Sequence, residues 1–267
     1  MQQYGPDAAC GAALPPGRSG ASAARFMQCL IIAAGQGSRL RSKAPSKPLV
    51  PIAGRPLIEH VVRRARAGGA TSFLVVTGYA ATGIEAFLSG LAAGEGLAIE
   101  CVRNEEWRRP NGVSVAAAAP RLDPRFLLMM SDHLVDPEMV AATIAAEARG
   151  DVLLAVDRRL DNELVDLDDV TKVETAADES IVRLGKTIDR YDAFDTGIFR
   201  CSRALVDAIG GSIAAGGQGS LSEGVQRLAE QGRAFALDIG ARWWLDVDDP
   251  RALALAESHL AEAKELI

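Results

Sequence analysis

Five short apolar runs recur along the chain, four of them followed by a stretch of helical character, and this alternation constrains the fold more than any other feature. The runs are QCLIIAA (28–34), SFLVVT (72–77), LAIECV (97–102), RFLLMM (125–130) and DVLLAV (151–156). Their length and near-continuous apolar content suit strands buried on both faces. Between them, PLIEHVVRRARAGG, GIEAFLSGLAAG, NGVSVAAAAP and PEMVAATIAAEARG read as helices that end at Gly or Pro. Such alternation predicts a three-layer, Rossmann-like α/β/α domain around a mostly parallel sheet with right-handed crossovers. Ligands of such sheets bind beyond the carboxyl ends of the strands, so the segments after each strand are where chemistry is expected.

Past residue 157 the pattern changes. VTKVE and SIVRLG, separated by acidic turn residues, predict antiparallel hairpins added to the sheet, which makes it mixed. Helical patterns return in SRALVDAIG and SLSEGVQRLAE, followed by a strand, AFALDIG, then RWWLDVDDP and a closing helix. The glycine-rich SIAAGGQGS (212–220) reads as a mobile surface loop. No internal repeat or linker marks a second domain, so residues 26–267 are expected to form one. Residues 1–25, rich in Ala, Gly and Pro and without the apolar core of a signal peptide, read as a disordered extension or as sequence ahead of the true start.

With 267 residues, 48 % of them apolar, the chain can bury a core without metal or disulfide staples. Its net charge of −6 and its low aromatic content argue against nucleic-acid binding, which needs a basic footprint. Cys10, Cys29, Cys101 and Cys201 form no CxxC pair and read as reduced, mostly buried thiols. No apolar run approaches the ~18 residues of a spanning helix. A cytoplasmic protein without membrane insertion is expected.

Against this acidic background one segment stands apart. Between Asp7 and Glu59 there is no acid, while seven Arg and Lys occur, and five of them follow the glycines at the end of the first strand. Glycines allow sharp turns and close approach of backbone N–H groups to a ligand. Arginine offers a planar fork for phosphate and lysine a point charge. The combination describes a site for a highly charged anion such as a nucleoside triphosphate. It is not a dinucleotide fingerprint, because Leu40 stands where the third glycine belongs, and no Gly-Lys-Ser/Thr tripeptide opens a helix as a P-loop requires.

IIAAGQGSRL followed by SKPLVPIAGRPLIEHVV resembles the signature of the nucleotidyltransferases that activate sugar and alcohol phosphates, a GT-A-like superfamily. The resemblance implies the three-layer Rossmann-like nucleotidyltransferase fold. It implies that Arg39 and Lys47 are catalytic, contacting the triphosphate and the reacting phosphates, and that the backbone of Ala33, Ala34, Gly35 and Gly37 cradles the nucleotide. Thr77, Asn111, Gly112 and Ser114 then border the base, although Asn-Gly is equally an ordinary helix-start turn. MSDHLVDP, DVTKVE, LGKTIDRYDAFDTGIF and WLDVDDP together are similar to the CTP:inositol-1-phosphate cytidylyltransferases. That narrower likeness implies CTP and a phosphorylated polyol, inositol 1-phosphate, as substrates. It also implies a separate membrane CDP-alcohol phosphotransferase downstream.

Asp132 follows a buried apolar strand, where an acid is costly unless paired or metal-bound. Superfamily members carry a metal-ligating Asp at this strand end and another near the C-terminus, which implies Mg²⁺ on Asp132 with Asp246 or Asp248. Asp136 and Asp249 suit helix caps instead. Trp243 and Trp244 suit core packing over base stacking. His133 receives no role, because a residue adjacent to Asp132 on a strand faces the other way. For the acceptor, Lys172 and Lys186 can direct ammonium groups to one phosphate, and Asp195, Thr196 and Gly197 suit a polyol. The residues leave open another acceptor, such as phosphocholine or a hexose 1-phosphate, another nucleotide such as GTP, and a catalytically inactive nucleotide-sensing paralogue.

Overall fold

The computed structural model describes residues 27–40 and 42–265, so the extension expected over 1–25 lies outside the described residues. From the amino end the order is β1 (Gln28–Ala33), a small hairpin of β2 (Pro51–Ile52) and β3 (Arg55–Pro56), α1 (Leu57–Ala67), β4 (Ser72–Thr77), α2 (Ala81–Glu95), β5 (Ile99–Arg103), α3 (Gly112–Ala118) and β6 (Arg125–Met130). There follow β7 (His133–Val135), α4 (Pro137–Ala145), β8 (Val152–Asp157), β9 (Lys172–Thr175), β10 (Ile181–Gly185) and β11 (Ala193–Ser202). The last elements are α5 (Ala204–Ala214), α6 (Leu221–Ala229), β12 (Ala234–Asp238), β13 (Trp244–Asp246) and α7 (Pro250–Glu265).

All five predicted apolar runs are strands of one sheet, ordered β10-β9-β11-β6-β1-β4-β5, with β8 also on β11 and β12 on β8. β1, β4, β5 and β6 are mutually parallel, as the crossover pattern requires. The long β11 runs antiparallel to β6, β8 and β9 and makes the sheet mixed, while β9 and β10 form the predicted hairpin. Alternation along β1 divides the core. Cys29, Ile31 and Ala33 pack with α1, α2, α4 and α7 on one face; Leu30, Ile32 and Ala34 pack with α3, α5 and α6 on the other. This is the expected three-layer arrangement.

Three local expectations are corrected. The helix predicted to reach Gly150 ends at Ala145, because the Arg200 guanidinium on β11 donates to the carbonyls of Thr143, Ile144, Ala146 and Glu147 and takes over the role of a C-cap. Asp136 occupies the N-cap position of α4, yet its side chain accepts from Trp243 N (2.9 Å) rather than from its own helix. SIAAGGQGS is not wholly a loop. Its first three residues finish α5, and Glu223 of α6 gathers the rest by accepting from Ser212 Oγ (2.7 Å) and Gly219 N (2.7 Å). That same Glu223 completes a capping box with Ser220, a local signal for the start of α6.

Candidate active site

β7 and β13 do not join the main sheet. They form a separate two-stranded antiparallel ladder in which His133 stands opposite Asp246. Asp132, in the turn between β6 and β7, accepts Val247 N at its carbonyl (2.9 Å). The ladder therefore joins the acid from the middle of the chain to the late acids, as the sequence led us to expect.

Lys47 rises into this cluster from a 3-10 turn over Lys47–Leu49. It is only 6 % exposed, an unusual burial for a lysine that its partners explain. Its Nζ lies 2.8 Å from Asp132 and 3.7 Å from Asp246 and is also ion-paired to Asp248. Gly37 makes this possible. Its φ is +56°, and a Cβ there would lie 2.4 Å from Lys47 Cβ, so a glycine read as a phosphate cradle also clears the path of the lysine. Gly35 has open space where a Cβ would sit. Arg39, half exposed, pairs with Asp248 (3.2 Å) and with Asp169, which in turn is ion-paired to Lys186. A chain of alternating charges thus runs from Lys186 through Asp169, Arg39 and Asp248 to Lys47 and Asp132.

Lys186, Asp169, Arg39, Asp248 and Asp132 border a cavity of about 400 Å³, with Lys47 behind its acids, and Leu164 and Val165 from the β8–β9 loop and Leu255 from α7 form its apolar side. Asn111, Asp195 and Gly197 also line it. Asn111 is partly committed, since its Oδ1 accepts Leu221 N (2.9 Å).

Several predicted ligand-binding side chains are turned inward. Thr77 is fully buried and donates to Glu85 (2.7 Å). Ser114, also buried, accepts from Asn104 Nδ2 (3.0 Å). A Cβ on Gly112 would meet Gly219 O at 2.4 Å, so this glycine serves close packing of α3. Ala33 and Ala34 are buried, and Ala34 O accepts Tyr79 N (3.0 Å). Thr196 is buried with its hydroxyl on Ala155 O (2.8 Å), which corrects its expected contact with a polyol. Lys172 donates to Lys186 O (3.0 Å) and lies over the Tyr191 ring, supporting Lys186 from outside the cavity rather than sharing a phosphate with it. Trp244 donates to buried Asp157 (2.8 Å) and Trp243 stacks on His259, so both tryptophans are packing residues as expected. Asp249 caps α7, accepting Ala252 N (2.7 Å).

His133 corrects the view that it faces away. The turn at 131–132 interrupts the strand, so strict alternation does not apply across it. The ring is held by a 2.8 Å hydrogen bond from Nδ1 to Thr196 O; a carbonyl only accepts, so Nδ1 carries the proton. Nε2 then faces Asp246 (3.4 Å) and Asp132 (3.8 Å). Gly197, at φ +78°, is required beside it, since a Cβ would stand 2.2 Å from Nδ1. Burial disfavours the imidazolium, but Asp246 and Asp132 outweigh it and lift the His133 pKa to about 9. Burial likewise opposes the Asp132 carboxylate, and Lys47 and His133 overcome it to hold the pKa below its ordinary value. At Asp195 burial outweighs the bond from Gly197 N and the attraction of His133, and raises the pKa to about 6. Asp169 is held at about 2 by its bonds from Lys186 and Arg39.

A divalent cation fits here. One ligand atom each of Asp132, His133 and Asp246 lies within 4.8 Å of the others, and Asp246 Oδ1 is buried without a hydrogen-bond partner. Lys47 Nζ stands 3.7 Å from that oxygen, beyond hydrogen-bond reach, so its lone pairs remain able to ligate an ion. Asp248 instead faces Lys47 and Arg39.

The chain is similar to known proteins. The bifunctional IPC transferase and DIPP synthase of Rubrobacter xylanophilus is 36 % identical over 90 % of this chain and 52 % of that protein. Its Thermococcus kodakarensis namesake is 31 % identical over 87 % and 50 %. The chain thus spans about half the length of the curated relatives it matches. Among solved structures, the inositol-1-phosphate CTP transferase from T. maritima superposes with a TM-score of 0.78 at 24 % identity, covering 87 % of this chain and 94 % of that one. A putative glucose-1-phosphate thymidylyltransferase from Bacillus anthracis superposes at 0.74 with 16 % identity, over 87 % and 94 %. Both likenesses concern the fold. Residues 29–185, which carry the glycine loop, Arg39, Lys47 and Asp132, match a family in their own right, and on that match the chain belongs to the MobA-like NTP transferase domain family, a family of nucleotidyltransferases.

Proposed function

We propose that this protein transfers a cytidylyl group from CTP to inositol 1-phosphate, giving CDP-inositol and pyrophosphate. The observation that carries the reading is the convergence of Lys47 and Arg39 with Asp132, Asp246 and Asp248 at one cavity that also reaches Lys186. The printed names of the Rubrobacter relative and the T. maritima fold neighbour support the choice of nucleotide and acceptor.

In this reading the acceptor's phosphate oxygen attacks the α-phosphorus, a new P–O bond forms, and the bond to the β-phosphate breaks with its electrons leaving on pyrophosphate. A phosphomonoester is mostly dianionic at neutral pH, with a second pKa of about 6, so no general base is needed. The protein's work is placement and charge neutralisation. Lys47 and Arg39 offset charge on the nucleotide's phosphates, and Asp248 orients both cations. Lys186 receives the acceptor phosphate, and the Ala33–Gly37 backbone receives the nucleotide. Asp132 and Asp246 would hold Mg²⁺, which suits carboxylates and phosphate oxygens and would supply further charge neutralisation at the reacting phosphates. His133 orients Asp246 through Nε2 and moves no proton in the transfer. We place the reaction in the cytoplasm, with its product consumed by a membrane CDP-alcohol phosphotransferase; no helix among the described residues is long and apolar enough to cross a membrane.

The test is pyrophosphate release from each of the four nucleoside triphosphates against a panel of phosphorylated acceptors, with and without Mg²⁺. Turnover is expected with CTP and inositol 1-phosphate in Mg²⁺. Turnover with a different pair replaces the substrates, and nucleotide binding without any release replaces the enzyme with a sensor.

A further inference from the structure

Asp169 entered the site unannounced by the sequence, and the proposed reaction gives it nothing to do. It lies in the loop between β8 and β9, and among the described residues it is the carboxylate joined to both Arg39 and Lys186. In the reaction proposed above Arg39, which also holds Asp248, serves the nucleotide and Lys186 the acceptor. Asp169 therefore stands between the two groups of cations, where the attacking phosphate has to lie.

Structural stability accounts for only part of this placement, although the two cations hold the Asp169 carboxylate ionised. Arg39 and Lys186 have side chains 50 % and 56 % exposed, and ion pairs in that setting add little to folding. The loop is held by other bonds. Asn162 Nδ2 donates to buried Asp157 (2.8 Å) at one end, and Thr171 O accepts Asp195 N (2.9 Å) at the other. Between them, Asp166, Leu167 and Asp168 form an exposed turn. Asp166 O holds the turn by accepting Asp169 N (3.1 Å) and Val170 N (2.8 Å), so Asp169 can leave its cations by rotation of its own side chain while the backbone stays in place.

A carboxylate and a phosphate compete for the same guanidinium fork and ammonium. The carboxylate brings one negative charge and a phosphomonoester close to two. We propose that Asp169 is a specificity-determining residue: it fills the phosphate position between Arg39 and Lys186 and yields it only to a more highly charged anion. A neutral polyol meets a closed ion-pair chain, whereas its phosphate ester displaces the aspartate and enters. The proposal rests on the phosphomonoester acceptor put forward above.

The test uses inorganic phosphate as probe, titrated calorimetrically into the full chain at pH 8 without nucleotide or divalent cation. Asp169→Asn is expected to bind phosphate about tenfold tighter than the wild type, through loss of two competing exposed ion pairs. Asp168→Asn removes the same charge one residue away, and its affinity is expected to stay within about twofold of wild type, as for a screened exposed charge. Thermal melting checks that both variants are folded. Equal or weaker phosphate binding by Asp169→Asn overturns the proposal, because the aspartate then organises the cations instead of blocking them. An equal gain in Asp168→Asn also overturns it, since general electrostatics would explain both. These readouts do not depend on the transferase assay, so a different substrate pair there would revise the function and leave this result standing.

Discussion

Replacing Lys47 with Met keeps an unbranched side chain one atom shorter and removes the ammonium from among Asp132, Asp246 and Asp248. The lysine is 6 % exposed and 2.8 Å from Asp132, while the acids' side chains are 28–36 % exposed. Stripping one partner from a fully buried pair costs about 3–5 kcal/mol. Water reaches these acids in part, so about 2–3 kcal/mol is the appropriate figure here. For a domain of this size that lowers the melting temperature by roughly 4–12 °C in buffer containing EDTA. The three freed carboxylates then attract a divalent ion more strongly than the wild-type cluster, in which Lys47 competes. An ion present at a hundred times its dissociation constant restores about 2.7 kcal/mol. Scanning calorimetry in EDTA and in millimolar Mg²⁺ measures both effects. The reasoning fails if Lys47→Met melts within about 2 °C of wild type in EDTA, or if Mg²⁺ raises the two melting temperatures equally.

Other consequences are as direct. Gly197→Ala puts a methyl group 2.2 Å from His133 Nδ1 at φ +78°; expelling the ring and straining the backbone should cost about 2–4 kcal/mol and weaken Mg²⁺ binding, read by denaturant unfolding and metal titration. His133, raised from 6.5 to about 9, binds a proton more tightly in the folded state, so metal-free stability is greatest below pH 6.5 and declines as the pH rises through 9. A His133→Gln variant should lose that slope in unfolding experiments across the same range. Asp195, raised to about 6 by burial, costs stability once ionised. Asp195→Asn can still accept the bond from Gly197 N at Oδ1, and it should gain on the order of 2 kcal/mol at pH 8 and nothing at pH 3, measured by urea unfolding.

How much of this was legible in the sequence follows from how local each signal is. The strands of the parallel core announce themselves by continuous apolar runs, and Lys47, Asp132 and Asp246 by charges in apolar surroundings or beside a recognisable motif. His133 was set aside by applying strand alternation across residues 131–132, where the chain turns. Asp169 sits in DNELVDLDDV, a stretch of several acids of which nothing local marks one, and only the folded loop brings it to Arg39. Hydroxyls near glycines looked available for ligands, yet Thr77, Ser114 and Thr196 are spent on Glu85, Asn104 and Ala155. Their burial depends on packing from distant segments. Gly37 and Gly197 were read as openings for substrate, whereas each also gives room to a neighbouring side chain of the site.

The β7–β13 ribbon has a consequence for the protein's synthesis. Asp136 meets Trp243 across 107 positions of chain, and Asp246 reaches Asp132 only when that ribbon closes. A nascent polypeptide can fold its parallel strands on the ribosome while Asp132 and Asp246 remain apart. On the function proposed above, it would be unable to spend nucleotide until the segment through Asp246 has emerged from the exit tunnel, so that translation itself would time the onset of activity.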